Sequence, residues 1–147
     1  MKASLMSGPR RHDIGPAQSI DEIMTAEVAC VSEAATLADL RELLIERGQH
    51  CVPVVADGRP VGVVTQTDLL RSIVGQRGAD RTAGDIMTAL VFALPGTASV
   101  EQAAALMAYE GVEQIVVTGL GGKVAGLVRA LDVARRCARS AGTLPEY

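Results

Sequence analysis

The sequence predicts a mixed α/β (α+β) fold made of two tandem βαββα units packed against each other. Three observations carry this reading. The first is an internal repeat, sought before any local pattern. At an offset of 63 residues, from Ile23 to Ile86, Ile23-Met24-Thr25-Ala26 falls on Ile86-Met87-Thr88-Ala89, Val28 on Val91, Thr36 on Ser99, Gly48 on Gly111 and Val54 on Val117. With one residue inserted in the second copy, Gly62-Val63-Val64 lies on Gly126-Leu127-Val128 and Asp68 on Asp132. The second is the shared order of helix-cap and Val-rich hairpin signals within each copy. The third is composition: 147 residues that are 48% apolar suffice for a core without disulfides or metal, whereas one unit of ~60 residues cannot cover its own sheet.

The elements follow in chain order. Val28 to Val31 and Val91 to Leu94 read as short opening strands. Thr36 and Ser99 are N-cap types, each followed three residues later by Asp39 or Gln102, the capping-box spacing. In the first copy Leu37, Leu40, Leu43 and Leu44 form one apolar helical face that ends at Gly48. In the second, an Ala-rich helix runs from Val100 to Gly111 with Leu106 and Met107 inward. A hairpin comes next in each copy. Cys51 to Val55 turns at Asp57-Gly58 into Val61 to Thr65, and Gln114 to Thr118 turns around Gly121-Gly122 into Val124 to Val128. Closing helices span Asp68 to Val74 and Asp132 to Arg139, and Met24 and Met87 are expected to be buried at the repeat openings. The organisation is therefore an N-terminal tail (1–19), repeat 1 (20–75), a polar linker (76–84), repeat 2 (85–140) and a C-terminal tail (141–147).

Charge and aromatic content narrow the function. Seventeen acidic against fourteen basic residues give a net charge of -3, which offers no attraction to a phosphate backbone. Aromatics are 2% of the chain, with one Phe, two Tyr and no Trp, so there is no stacking platform for single-stranded nucleic acid. By the same token, any small ligand bound here is expected to lie between aliphatic side chains and backbone amides. No stretch reaches the ~20 apolar residues of a membrane span. The three cysteines, Cys30, Cys51 and Cys137, have no CxxC spacing, so a reduced cytoplasmic setting is expected.

The IMT openings, the His50-Cys51-Val52-Pro53-Val54 strand and the Gly62-Val63-Val64-Thr65-Gln66-Thr67-Asp68 segment together resemble a pair of cystathionine-β-synthase (CBS) domains, a Bateman module. The resemblance covers about residues 20–140. It implies a pseudo-twofold arrangement of the two repeats, often doubled into a homodimer, with clefts for adenosine-containing ligands. It also implies a regulatory, signal-transducing role without catalysis of its own.

Residues carry over by position. Thr65 and Asp68 sit where a strand ends and a helix begins. A helix start offers free N–H groups to an anion, and a carboxylate can hold a ribose diol. The same T-x-x-D spacing is also a plain helix cap, and both readings stand at this point. The resemblance adds His50, Thr88, Val91, Ala93, Val112 and Glu113 to this cleft. A second, weaker cleft would use Asp132, Arg129, Thr25, Val28, Cys30 and Gln49. There Arg129 replaces the expected Thr or Ser, and Glu113 occupies the position matching His50. Arg129 either grips a phosphate, fills the cleft or is an ordinary solvated charge. Val91, Ala93, Val28 and Cys30 also fit plain core packing.

His50 beside Cys51 raises a nucleophile reading, but adjacent strand residues point to opposite faces, which favours core packing of Cys51. Cys137 lies among Arg135, Arg136 and Arg139, a setting for either a redox thiol or a solvated helix face. The expected function is a stand-alone regulatory pair that binds AMP, ADP, ATP, NAD or S-adenosylmethionine and signals through its dimer or a regulated protein partner. No cofactor is required. A ligand-free oligomerisation scaffold is the alternative, favoured by Arg129 and Glu113; an enzyme is disfavoured because no triad, metal cluster or carboxylate pair emerges.

Overall fold

The structure, a computed structural model, describes residues 18–75 and 80–140; most of the expected tails and residues 76–79 of the expected linker lie outside it. After a short 3-10 turn at Ile20–Glu22, helix α1 covers Leu37–Arg41 and widens into a π-helical turn over Glu42–Glu46. Strands β1 (Cys51–Ala56) and β2 (Arg59–Thr65) form the first hairpin, followed by α2 (Gln66–Val74) and the short α3 (Ala83–Ile86). The second half runs β3 (Ala93–Pro95), α4 (Val100–Glu110), β4 (Gln114–Thr118), β5 (Val124–Arg129) and α5 (Ala130–Ser140). No helix among the described residues is long and apolar enough to cross a membrane.

Local signals act where they were expected. Capping boxes close at Thr36/Asp39 and Ser99/Gln102. Gly48 and Gly111 end their helical segments at φ 68° and 71°, a conformation that glycine adopts without strain. Asp57 and Gly58 both have positive φ, as a tight hairpin turn requires. One boundary moves: Thr82–Gly84, read as linker, open α3. There the Asp85 carboxylate accepts from the Thr82 backbone N–H and hydroxyl, bonds that hold its pKa below the ordinary value.

The opening strands differ from expectation. In repeat 2 the strand is Ala93–Pro95, parallel to β4, not Val91 to Leu94. In repeat 1 the expected Val28 to Val31 strand reduces to a single parallel bridge, Val31 to Val54. The reason is Pro53, which lacks the N–H that Val116, at the equivalent place in repeat 2, donates to the Phe92 carbonyl; that place is taken by Gln49. Its side-chain amide accepts from the Ala29 N–H at 3.2 Å and donates to the Ala29 carbonyl at 2.9 Å, supplying bonds that a neighbouring strand would otherwise make. Val112, at the matching position of repeat 2, has no polar atom for this.

The two repeats exchange their openings. Thr25 forms an antiparallel bridge with Leu127 of repeat 2, and Thr88 forms the equivalent bridge with Val63 of repeat 1. Ser19 bridges Ser99, and Thr36 bridges Thr82, again as a symmetric pair. Cores cross in the same way. Ala83 and Ile86 join Leu40, Leu44, Val52 and Val64 in the first core, while Ile20 joins Ala103, Ile115, Val117 and Val128 in the second. A small cluster of Cys51, Val116 and Leu127 lies between them, with Val28, Val63 and Val91 packed on it. The result is the pseudo-twofold pair of βαββα-type repeats, with Met24 and Met87 half-buried at the exchanged openings.

Candidate functional site

A cleft of about 480 Å³ opens beside the seam between the repeats. Repeat 1 contributes His50 and Cys51 at the start of β1, Val63 and Thr65 from β2, and Gln66 and Thr67 from the first turn of α2. Repeat 2 contributes Thr88, Leu90 and Phe92 from the extended stretch after α3, then Gly111, Val112, Glu113 and Gln114 from the loop into β4. Val116 and Leu127 complete the wall. A volume of this size suits a small organic ligand, for which pockets run from ~300 to 1,000 Å³.

Five of the expected residues meet here: His50, Thr65, Thr88, Val112 and Glu113. Val91 and Ala93 do not line the cleft. Successive residues of extended chain face opposite sides; Leu90 and Phe92 border the cavity, while Val91 packs into the central cluster and Ala93 is exposed in β3. This phase also corrects the expectation of a cleft without an aromatic wall, because Phe92, the one phenylalanine of the chain, is part of it.

Thr65 and Asp68 form a closed capping box at the head of α2. The Asp68 carboxylate accepts from the Thr65 N–H at 2.9 Å and the Thr65 hydroxyl at 3.1 Å. It also accepts from the Thr88 hydroxyl at 3.3 Å and faces the Arg71 guanidinium at 3.7 Å. With 7% exposure, Asp68 is turned away from the main cleft. It borders a neighbouring cavity of about 490 Å³ shared with Arg71, Arg81, Asp85 and Thr88. Thr88 thus stands between the two spaces, and Asp68 ties the openings of α2 and repeat 2 together.

The residues expected in the second cleft are held by local bonds. Gln49 clamps the Ala29 backbone and donates to the Cys51 carbonyl at 2.9 Å. Thr25 exchanges backbone bonds with Leu127, and Val28 packs on the central cluster. Cys30 is exposed, its thiol 3.7 Å from the Val28 carbonyl. At α5 only half a capping box forms: the Arg129 N–H donates to Asp132 at 3.3 Å, and arginine has no hydroxyl to return the bond.

Cys51 is 2% exposed. Burial, then the Asp68 carboxylate and Cys30, push its thiol from the ordinary value of 9.0 to about 12. A thiol held protonated is a poor nucleophile, so Cys51 serves packing. The folded state keeps this proton where the unfolded chain loses it, so the associated stability is present below pH ~9 and lost as pH rises toward 12. Between pH 8 and 10 the loss is expected to be on the order of 1 kcal/mol. Urea midpoints of the wild type should drop more steeply over this range than those of Cys51→Val; parallel slopes would discard the assignment.

Comparison with known proteins now bears on this geometry. The sequence profile of the CBS domain matches residues 20–75 and again 83–139. The chain belongs to the CBS-domain family. As a CBS pair it is 30% identical, over 79% of its length, to the CBS domain-containing protein YhcV of Bacillus subtilis, of which it spans 83%. It is 27% identical over 78% of its length to the protein MK0525 of Methanopyrus kandleri, of which it spans 60%. Its fold matches the CBS domain pair of protein MJ0100 solved with 5'-methylthioadenosine and S-adenosyl-L-methionine, at TM-score 0.74 and 20% identity, over 84% of this chain and 98% of that one. CBSX2 in complex with AMP matches at TM-score 0.69 and 24% identity, over 82% and 96%.

Sequence reading missed Leu90, Phe92, Gln66, Thr67 and Gln114 as wall residues. The run Leu90-Val91-Phe92-Ala93-Leu94 is apolar throughout, so its sequence contains no alternation from which the cavity face could be read.

Proposed function

We propose that this CBS pair is a regulatory module that binds an adenosine-containing small molecule in the cleft bordered by Phe92 and Thr65. The observation that carries the proposal is the composition of the wall, apolar at Leu90, Val116 and Phe92 and polar at His50, Thr67 and Glu113. Such a wall suits a purine with its ribose. The complexes of the two similar pairs, with AMP and with sulfur-linked adenosines, support the same class. Because both repeats supply the wall, a bound ligand stiffens one relative arrangement of the repeats over others, and only such unequal binding shifts a conformational equilibrium.

The signal passes to a second copy or to a protein partner. Leu70, Ile73 and Val74 on α2 and Leu131 on α5, two helices related by the repeat, expose apolar side chains that a homodimer interface can cover. The module does no chemistry of its own in this reading: the Cys51 thiol stays protonated, and Thr65 and Asp68 are engaged in a helix cap. That same engagement favours a second reading, a ligand-free scaffold, since neither group is free to hold a nucleotide.

Calorimetry with AMP, ADP, ATP, NAD and S-adenosylmethionine decides between them. Binding of at least one in the micromolar range is expected, weakened tenfold or more by Phe92→Ala. Silence toward the whole panel at millimolar concentration, with a tight constitutive oligomer, selects the scaffold.

A further inference from the structure

The polar groups of the cleft wall differ in what they have left to offer. The Thr65 hydroxyl accepts from the Asp68 N–H and donates to the Asp68 carboxylate, and the Thr88 hydroxyl donates to that carboxylate too. The Gln66 amide donates to the Leu44 carbonyl at 3.2 Å, reaching the π-helical turn of repeat 1. Beside the His50 ring, the Thr67 hydroxyl and the Gln66 amide oxygen, two further acceptors line the wall. Glu113 engages its backbone carbonyl with the Ala130 N–H, and no cation pairs with its exposed carboxylate among the described residues. Gln114 keeps its Oε1 buried with no donor.

Positive charge is scarce by comparison. Among the described residues the wall holds no lysine or arginine, and His50 is its one side chain able to carry a positive charge. Arg71 and Arg81 belong to the neighbouring cavity beyond Thr88, where Asp68 and Asp85 accompany them.

We propose that this cleft selects adenosine derivatives whose 5′ substituent is neutral or cationic and rejects 5′-phosphates, with Glu113 as the specificity-determining residue. The inference rests on the adenosine-binding reading above and sharpens it. A phosphate placed here gives up its water next to a carboxylate and finds no guanidinium or ammonium in return, only the His50 ring, the Thr67 hydroxyl and the N–H groups at the head of α2. An ammonium or sulfonium-bearing group gains the attraction of Glu113, and Gln114, which lines the cleft, has an Oε1 without a donor that an N–H or O–H of the ligand can supply. Through the repeat, Glu113 occupies the place that His50 holds in the first copy, so the charge character of this position is reversed between the two copies.

Three probes that share one nucleoside isolate the 5′ charge: 5′-amino-5′-deoxyadenosine, adenosine and AMP, titrated by calorimetry into the full chain at pH 7 and low salt. The amine is expected to bind as tightly as adenosine or tighter, and AMP at least tenfold more weakly than adenosine. Glu113→Gln should raise AMP affinity threefold or more and lower that of the amine; Glu113→Lys should place AMP first. Because Glu113 is exposed, unchanged circular dichroism is expected for both variants. Wild-type AMP binding equal to adenosine, or a preference unchanged by Glu113→Gln, overturns the selectivity while leaving adenosine binding intact. Absence of binding by all three and by the wider panel overturns both.

Discussion

Ile20→Ala is expected to lower stability by about 2–5 kcal/mol, the usual range for emptying a fully buried aliphatic site, and to loosen the second repeat. Ile20 is 0% exposed, and its neighbours are Ala103, Ile115, Val117 and Val128, all from the far half of the chain. Its backbone is fastened there as well, through the Ile20 N–H to the Ala98 carbonyl at 2.8 Å and the Asp21 N–H to the Gly96 carbonyl at 3.1 Å. Hydrogen exchange reads the location of the damage, because local opening follows local packing. Amides of Val100–Glu110 and Gln114–Thr118 should lose protection first, ahead of those of Cys51–Ala56. Ile86→Ala is the reciprocal control, since Ile86 packs with Leu40, Leu44 and Val52; it should loosen the first repeat. Damage confined in each case to the repeat that contains the substituted residue in sequence would refute the exchange of openings.

That exchange marks the limit of what the amino-acid sequence shows. Features set by a few adjacent residues are legible. Thr36-x-x-Asp39 and Ser99-x-x-Gln102 cap their helices, Asp57-Gly58 turns its hairpin, and the repeat implies a shared core, because one unit cannot cover its sheet. Long-range pairing is not legible: nothing around Ile23-Met24-Thr25 says that its bonds go to Leu127 and not to its own hairpin. The site divides along the same line. His50, Thr65, Thr88, Val112 and Glu113 are placed on one cleft by the resemblance to the CBS family, whereas the cavity face of Leu90 to Leu94 depends on which side the neighbouring strand packs. Gln49 shows a further ambiguity. A polar side chain aligned with a ligand position serves equally well as a substitute for a missing strand, and only the positions of the Ala29 N–H and carbonyl distinguish the two.

Alanine at Gly126 should cost more than alanine at Gly62, although the two glycines occupy equivalent places in the repeats. Each lies where the exchanged opening of the other repeat crosses the hairpin. A Cβ on Gly126 would stand 2.5 Å from the Thr25 carbonyl oxygen and 2.7 Å from the Met24 sulfur. That carbonyl accepts from the Leu127 N–H at 3.0 Å, and the Thr25 N–H donates to the Leu127 carbonyl at 2.8 Å. The backbone therefore cannot retreat without stretching both bonds of the bridge. At Gly62 the nearest atoms belong to the Met87 side chain, its sulfur first and its Cγ at 2.9 Å, with the Thr88 carbonyl at 3.0 Å. A thioether can swing into another rotamer, which relieves most of the contact. Overpacking of this kind costs ~1–3 kcal/mol; Gly126→Ala is expected near the upper end and Gly62→Ala near the lower, measured as urea midpoints at constant m-value. Gly126→Val should extend the loss, because its added methyls meet the same backbone. Gly62→Ala has a second readout, since Met87 adjoins Thr88 on the cleft wall: ligand affinity should fall in that variant by more than its stability change explains. Equal losses at the two positions would mean that the Thr25 segment yields as readily as a methionine side chain, and the bridge to Leu127 would then not be what holds the repeats in register.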